Sequence, residues 1–335
     1  MKIQNCFFPF FLCFLLIGKM QGADFRFNTH GKFKIVQVTD THIQANSEHS
    51  QVTITMLRQV LDAEKPDLVV FTGDNVVQKP YKAGFDMLIE PVISRKIPWV
   101  LVFGNHDDEQ DLTREQLAGL IEPYPYQSGK MGKIKNVTGY GNFVLEIKGA
   151  NDKKPKALIY GMDSRAYSTL KPTVDGYGWF APDQIKWYQE QSSRYTARNG
   201  NMPLPALAFF HIPLPEYKEV EKPENKVIGD KKEKVCSPDI NSGMFLSMLE
   251  QGDVMGTFVG HDHINNYIFN CYGIALAYGQ FSGSKTTYGD QNGVRVIELT
   301  EGFRGFDTWI RYDATIVIDK VKFPDDLPIE KPKKK

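Results

Sequence analysis

Residues 102–109 read VFGNHDDE. An apolar run over residues 99–103 ends at Gly104, and the residues that follow can bind metal ions or transfer protons. This pattern is typical of a buried parallel strand that carries polar groups to its carboxyl end, where open α/β sheets bind ligands. One such segment alone is equally compatible with a polar turn after a strand, since a single short motif is weak evidence.

The same pattern recurs along the chain, and this recurrence favours a shared site. In each case an apolar strand ends in Asp, Asn or His. The four further segments are residues 34–42 (KIVQVTDTH), 68–75 (LVVFTGDN), 206–211 (ALAFFH) and 254–263 (VMGTFVGHDH).

The composition is that of an ordinary globular protein. The 335 residues are 41% hydrophobic and 24% charged, with a formal net charge of zero. This length suits one large domain, for which we expect the bounds 24–320. A neutral balance gives no electrostatic reason to expect binding to nucleic acid or to an anionic membrane.

The first 23 residues have the pattern of a signal peptide. Lys2 precedes an apolar run over 7–17, which is short for a membrane span and fits the hydrophobic core of an export signal. We therefore expect an exported protein, in the periplasm or outside the cell, with an uncleaved N-terminal anchor as the alternative. No membrane span is predicted after this segment.

Cys236 and Cys271 remain once the signal peptide is removed. An oxidising compartment makes a disulfide plausible, and two buried free thiols are equally compatible with the sequence.

The rest of the chain predicts alternating strands and helices. Helices are expected over 50–64, 85–95, 113–121, 179–195 and 243–250, and a single strand is expected over 309–318. The charged segment 216–234 lacks apolar periodicity. It predicts a mobile loop at the rim of the site or a solvated insertion without a role. Residues 321–335 are expected to form a basic tail.

The polar groups at the strand ends suit divalent metal ions. Carboxylates, imidazoles and one amide favour Mn, Fe, Zn or Mg over a thiolate site. The set is large enough for two ions bridged by a carboxylate. Such a pair can activate a hydroxide and stabilise charge during in-line displacement at phosphorus.

In order and spacing, these motifs resemble the calcineurin-like metallophosphoesterase superfamily. Further segments resemble its purple-acid-phosphatase-related and Dcr2-type branch, over most of residues 33–311. They are 176–179 (GYGW), 210–217 (FHIPLPEY), 240–243 (INSG) and 260–265 (GHDHIN). The resemblance implies a four-layer α/β/β/α sandwich of two mixed sheets flanked by helices.

The resemblance also implies roles for individual residues. One metal would be bound by Asp40, His42 and His263, the other by Asn105, His211 and His261, and Asp74 would bridge them. His106 would face the substrate and act as a general acid. Asp107 would orient His106 and raise its pKa by hydrogen bonding, or would only cap the local turn.

One departure concerns the metals. Purple enzymes carry a tyrosine a few residues beyond the bridging aspartate, where this chain has Val76 and Val77. We therefore expect no purple colour and no obligatory Fe(III). Relatives without that tyrosine are sometimes labelled inactive, yet the ligand set here is complete.

The expected function is an exported phosphoesterase that hydrolyses small phosphomonoesters by attack of a metal-bridging hydroxide. The alternatives are a phosphodiesterase or nucleotidase on the same site, and a metal-binding protein without turnover. An amide hydrolase fits the motifs poorly. Tyr167, Tyr177 and Trp179 are candidates for the wall of a substrate pocket or for ordinary packing.

Overall fold

Alternate side chains of the apolar strands face two different cores, as the two-residue repeat of a β-strand requires. In the computed structural model, which describes residues 23–284, 288–289 and 291–329, Val70 and Val100 lie in a core between two sheets. Their neighbours Phe71 and Leu101 face outward, against helices. A third core lies on the outer side of the other sheet. The predicted four-layer α/β/β/α sandwich is therefore confirmed.

The first sheet is mixed. Its strands are β1 (Lys32–Val38), β2 (Leu68–Thr72), β3 (Trp99–Val102), β11 (Val294–Thr300), β12 (Phe306–Arg311) and β13 (Val317–Phe323). Their order is β13-β12-β11-β1-β2-β3. Strands β1, β2 and β3 are parallel, so their carboxyl ends lie at one edge.

The second sheet is also mixed. Its strands are β4 (Phe143–Lys148), β5 (Pro155–Gly161), β6 (Ala206–Phe209), β7 (Val227–Ile228), β8 (Val254–Val259), β9 (Ile268–Cys271) and β10 (Ile274–Tyr278). Their order is β4-β5-β6-β8-β10-β9-β7. Strands β5, β6, β8 and β10 are parallel.

Helices cover both outer faces. They are α1 (Glu48–Glu64), α2 (Tyr81–Ile93), α3 (Arg114–Ile121), α4 (Pro182–Arg198) and α5 (Met244–Gln251). The first three pack on the first sheet and the last two on the second. Helix α2 begins four residues before the predicted start at 85. Gly84, which lowers helix propensity, obscured that start, and its missing side chain lets the helix approach Val76.

The prediction of one strand over 309–318 is wrong. Strands β12 and β13 form an antiparallel pair there. The turn between them is fixed by the Asp313 carboxylate, which accepts the backbone N–H groups of Thr315 and Ile316 at 2.7 and 2.8 Å. The apolar residues on both sides of this turn read as one run in the sequence.

The predicted boundary between 320 and 321 falls inside strand β13. Beyond that strand, Leu327 lies in the core between the sheets. The first residues of the expected tail therefore belong to the fold.

The expected signal peptide, residues 1–23, lies outside the described residues except for Ala23. In the part of the chain that is described, no helix has the length and apolar character to cross a bilayer.

Segment 216–234 is not the loop without regular structure that was predicted. It contains most of a 3₁₀ helix (Pro215–Glu221) and strand β7, which pairs with β9. The buried Tyr217 donates a hydrogen bond from its hydroxyl to the Thr257 carbonyl at 3.1 Å. Buried aromatic contacts, invisible to a test of periodicity, anchor this segment to the second sheet.

The two cysteines are free thiols. Cys236 is half-buried and Cys271 is buried.

We expect Leu327→Ala to lower the free energy of unfolding by about 2–5 kcal/mol, because it leaves a cavity in the core between the sheets. Ile329→Ala is the matched control, since Ile329 is 57% exposed whereas Leu327 is 0% exposed. It should change stability by less than about 0.5 kcal/mol. Urea unfolding measures both variants. Equal, small effects would show that the fold ends before residue 327.

Candidate metal centre

The two sheets pack face to face, and the carboxyl ends of β1, β2 and β3 lie beside those of β6 and β8. A hydrogen bond of 3.0 Å from Gln37 Nε2 to the Val259 carbonyl joins the sheets just below this edge. The loops that follow these strands bring the seven candidate ligands together, and none is more than 8% exposed. They are Asp40, His42, Asp74, Asn105, His211, His261 and His263.

A first group of donors consists of Asp40, His42 and His263. One ligand atom from each lies within 4.8 Å of the others. The Asp40 Oδ1 atom is 3.5 Å from His263 Nε2 and 4.0 Å from His42 Nε2. These distances leave room for one cation among the three side chains.

A second group consists of Asp74, His211 and His261, again within 4.8 Å of one another. The Asn105 amide belongs with this group, because its Oδ1 atom is 3.1 Å from His211 Nε2. Asp74 Oδ2 lies 3.2 Å from His211 Nε2 and 3.8 Å from His42 Nε2. Asp74 therefore lies between His211 of the second group and His42 of the first.

Two unpaired nitrogen atoms show that these residues fit metal ions. The Nε2 atoms of His42 and His261 are buried, and neither has a hydrogen-bond partner among the described residues. Leaving such atoms unpaired costs about 1–3 kcal/mol each. Burial lowers the pKa of His42 to about 4 and that of His261 to about 3. Both rings are therefore neutral at pH 7, the form that binds a metal.

His211 behaves differently from these two rings. Burial lowers its pKa, but the adjacent negative charge of Asp74 outweighs burial and raises the pKa to about 9. In return, although burial opposes it, the His211 charge holds the pKa of Asp74 well below its usual range. In the protein without metal, protonated His211 thus supplies the positive charge beside Asp74.

Four candidate ligands have left-handed backbone conformations. The φ angles are 52° at Asp40, 45° at His42, 53° at Asp74 and 78° at His261. Such conformations cost about 1–3 kcal/mol each and persist only where the surroundings enforce them. At Asp40 and His42, backbone hydrogen bonds hold these conformations, from Asp40 N to the Gly73 carbonyl and from His42 N to the Asp74 carbonyl, both 3.0 Å.

His106 lies beside the first group with a side chain that is 39% exposed. Its ring centroid is 5.9 Å from that of His42, and its backbone N–H donates to Asp74 Oδ1 at 2.8 Å. Burial lowers the pKa of His106, but the charges of Asp74 and Glu109 raise it above its ordinary value. The ring is thus a partly exposed side chain beside the first group that can carry a proton.

Of the two roles expected for Asp107, its hydrogen bonds match the cap of the local turn. Its buried carboxylate accepts the backbone N–H groups of Gly104 and Asn75, both at 2.8 Å. It also accepts the Tyr81 hydroxyl at 3.2 Å. Its hydrogen bonds therefore fix the loops after β2 and β3, and it is Glu109 that contacts the His106 ring.

A family comparison agrees with this geometry. Residues 33–265 match the model of the family described as calcineurin-like phosphoesterase. The chain belongs to the calcineurin-like phosphoesterase family.

This calcineurin-like phosphoesterase is similar to curated proteins of plants and yeast. It is 33% identical to "Probable inactive purple acid phosphatase 29" of Arabidopsis thaliana, over 88% of this chain and 85% of the relative. It is 34% identical to the phosphatase DCR2 of Saccharomyces cerevisiae, over 85% of this chain and 54% of the relative. These relatives belong to the branch that the sequence motifs indicated.

A solved structure supports the fold. A dimetal phosphatase from Danio rerio superposes with a TM-score of 0.61 at 12% identity, covering 87% of this chain and 99% of its own. At this identity the likeness concerns the fold alone.

The sequence analysis missed Glu109 as a partner of the His106 ring. Its spacing of three residues from His106 is the only signal that could have indicated it.

Of the three aromatic candidates for a pocket wall, Tyr177 packs edge-on against the His261 ring at 4.4 Å. Tyr167 lies within 3.5 Å of the Asn105 amide through its hydroxyl.

We expect Gly104→Ala to weaken metal binding in this protein. A Cβ atom at this position would lie 2.1 Å from Asp74 Oδ1, so the carboxylate would have to move. Gly119→Ala, in helix α3 with no atom within 4 Å of the added carbon, is the control. Metal content after dialysis should fall at least severalfold in the first variant only. Equal metal content in both variants would contradict the placement of Asp74.

We also expect the metal-free protein to lose stability as the pH falls from about 6.5 to about 4. Over this window the unfolded chain protonates His42 and His261, whose folded pKa values are lowered to about 4 and about 3. The folded protein therefore binds fewer protons, and stability falls with decreasing pH. The contribution of His211, whose pKa is raised to about 9, is complete below pH 6.5 and is lost as the pH rises toward 9.

Urea unfolding at several pH values measures this dependence. His42→Asn should make the slope between pH 6.5 and 4 shallower. His49→Gln, at an exposed position, should leave the slope unchanged. The same slope in His42→Asn and in the wild type would show that His42 is not a buried neutral ring.

Proposed function

We propose that this chain is an exported two-metal phosphatase that hydrolyses small phosphomonoesters. The main observation that supports this proposal is the position of Asp74. One of its oxygens lies between the two buried donor groups, and the other accepts the backbone N–H of the half-exposed His106. The backbone of His106, a side chain that can donate a proton, is thus hydrogen-bonded to the carboxylate that lies beside both groups.

The seven buried side chains hold the ions in this proposal. Asp40, His42 and His263 would hold one ion and Asn105, His211 and His261 the other, with Asp74 close to both. Two divalent ions (Mn, Fe, Zn or Mg) would supply a lowered pKa for the attacking water and neutralise charge on the phosphate. Metal binding displaces the proton that His211 carries in the metal-free protein.

His106 supplies the proton that the leaving group needs. The attacking water gives up a proton to solvent; as its oxygen bonds to phosphorus, the bond from phosphorus to the alcohol oxygen breaks and its electron pair goes to that oxygen. His106 protonates the oxygen, so that an alcohol leaves, and the ring recovers its proton from solvent.

The relatives support turnover and also give reason to test it. The yeast relative is named a phosphatase, whereas the plant relatives are named probable inactive purple acid phosphatases. Loss of activity usually breaks a ligand set. All seven candidate ligands are present and buried here, which favours a working enzyme. Export rests on the signal-peptide pattern of residues 1–23.

We expect purified protein loaded with Mn, Zn, Fe or Mg to release phosphate from 4-nitrophenyl phosphate and to act more slowly on bis(4-nitrophenyl) phosphate. His106→Asn should keep two metals per chain and lose about 10²-fold or more in kcat on an alkyl phosphate such as glycerol 2-phosphate, because it lacks the proton donor. Metal analysis and steady-state kinetics measure these quantities.

The outcomes separate the candidate functions. A faster rate on the diester would make the chain a phosphodiesterase. Two bound metals with no rate on any of the three esters would contradict the proposed activity and favour a metal-binding protein.

A further inference from the structure

Three consecutive acidic residues after His106 have three different partners. Asp107 points inward and binds backbone N–H groups. Asp108 forms an ion pair of 2.9 Å with Arg114. Glu109 turns back toward His106, since its backbone N–H donates to the His106 carbonyl at 3.3 Å. Its Oε2 atom then lies 2.5 Å from His106 Nδ1.

The Glu109 carboxylate is held at both oxygens. Oε1 accepts the hydroxyl of Tyr167 at 2.7 Å. Tyr167 in turn stacks on Tyr177, with ring centroids 6.1 Å apart and planes inclined by 21°. Tyr177 packs on the His261 ring. A loop that follows strand β5 of the second sheet thus fixes a carboxylate that follows strand β3 of the first.

This arrangement decides which nitrogen of His106 carries a proton. An ionised carboxylate only accepts hydrogen bonds, so the nitrogen that faces it must be protonated. The proton on Nδ1 therefore points at Glu109, and Nε2 is the nitrogen left to exchange a proton with a substrate. A ring that is 39% exposed would otherwise rotate about its side-chain bonds.

We propose that Glu109 is a positioning residue for His106, which fixes the orientation and the tautomer of the imidazole, and that Tyr167 holds Glu109 in place. This inference rests on the proposed function of the site. Glu109 acts through His106, since its carboxylate oxygens face the His106 ring and the Tyr167 hydroxyl. Its effect should therefore appear where the leaving oxygen needs a proton.

The test compares two phosphomonoesters on metal-loaded full-length protein. Glycerol 2-phosphate has a poor leaving group and 2,4-dinitrophenyl phosphate has a good one. In Glu109→Ala, kcat should fall by about 10² on the first ester and by less than about threefold on the second, with KM nearly unchanged. Glu109→Gln, which keeps an acceptor oxygen, should retain more of the rate than Glu109→Ala.

The matched control is Asp108→Ala, which removes a carboxylate from the same turn but leaves His106 paired. It should keep the wild-type ratio of the two rates. Tyr167→Phe should shift the ratio in the direction of Glu109→Ala, because it releases one carboxylate oxygen. A similar loss on both esters in Glu109→Ala, or the same ratio shift in Asp108→Ala, would overturn the proposal.

A second measurement does not depend on activity. In ¹⁵N-labelled metal-free protein, long-range ¹H–¹⁵N spectra should show His106 protonated at Nδ1 in the wild type and lose that preference in Glu109→Ala. A neutral ring protonated at Nε2 in the wild type would overturn the proposal even if the chain hydrolyses neither ester. If both esters are inert but the Nδ1 tautomer is present, the proposed function fails and the positioning contact stands.

Discussion

Three buried carboxylates hold together the edge of this protein where the candidate metal ligands lie. Asp40 accepts the backbone N–H of His261 at 3.0 Å and so joins the end of β1 in the first sheet to the end of β8 in the second. Asp74 accepts the N–H of His106, and Asp107 accepts those of Asn75 and Gly104. Since buried carboxylates are costly unless paired, this edge requires both hydrogen-bond donors and positive charge.

The protein satisfies these requirements in different ways. Asp107 has enough donors from backbone and side chains to remain in place without a metal. Asp74 relies on His211, whose proton compensates its charge. The buried nitrogen atoms of His42 and His261 have no partner among the described residues. A metal ion in each group would pair these nitrogens and both carboxylates at once, which explains why strained backbone conformations are kept at four of the seven candidate ligands.

The sequence predicted most of the fold, and the side chains it proposed as metal ligands lie together at one edge, because both follow from repeated local patterns. Each strand that leads to the site is an apolar run followed by a polar residue, and parallel strands bring such residues to one edge. What failed depended on tertiary contacts. Asp107 and Glu109 carry the same charge two positions apart, and only the turn between them decides which one reaches His106. Tyr217 anchors segment 216–234 through contacts with strands distant in the sequence.

We propose that two metal ions bind at the two donor groups and share Asp74. Anomalous diffraction at the manganese edge, from a crystal of the Mn²⁺-loaded protein, tests this binding. We expect two peaks about 3.5–4 Å apart, one beside Asp40 and the other beside His211, with Asp74 between them. A single peak, or peaks away from these two groups, would contradict the account.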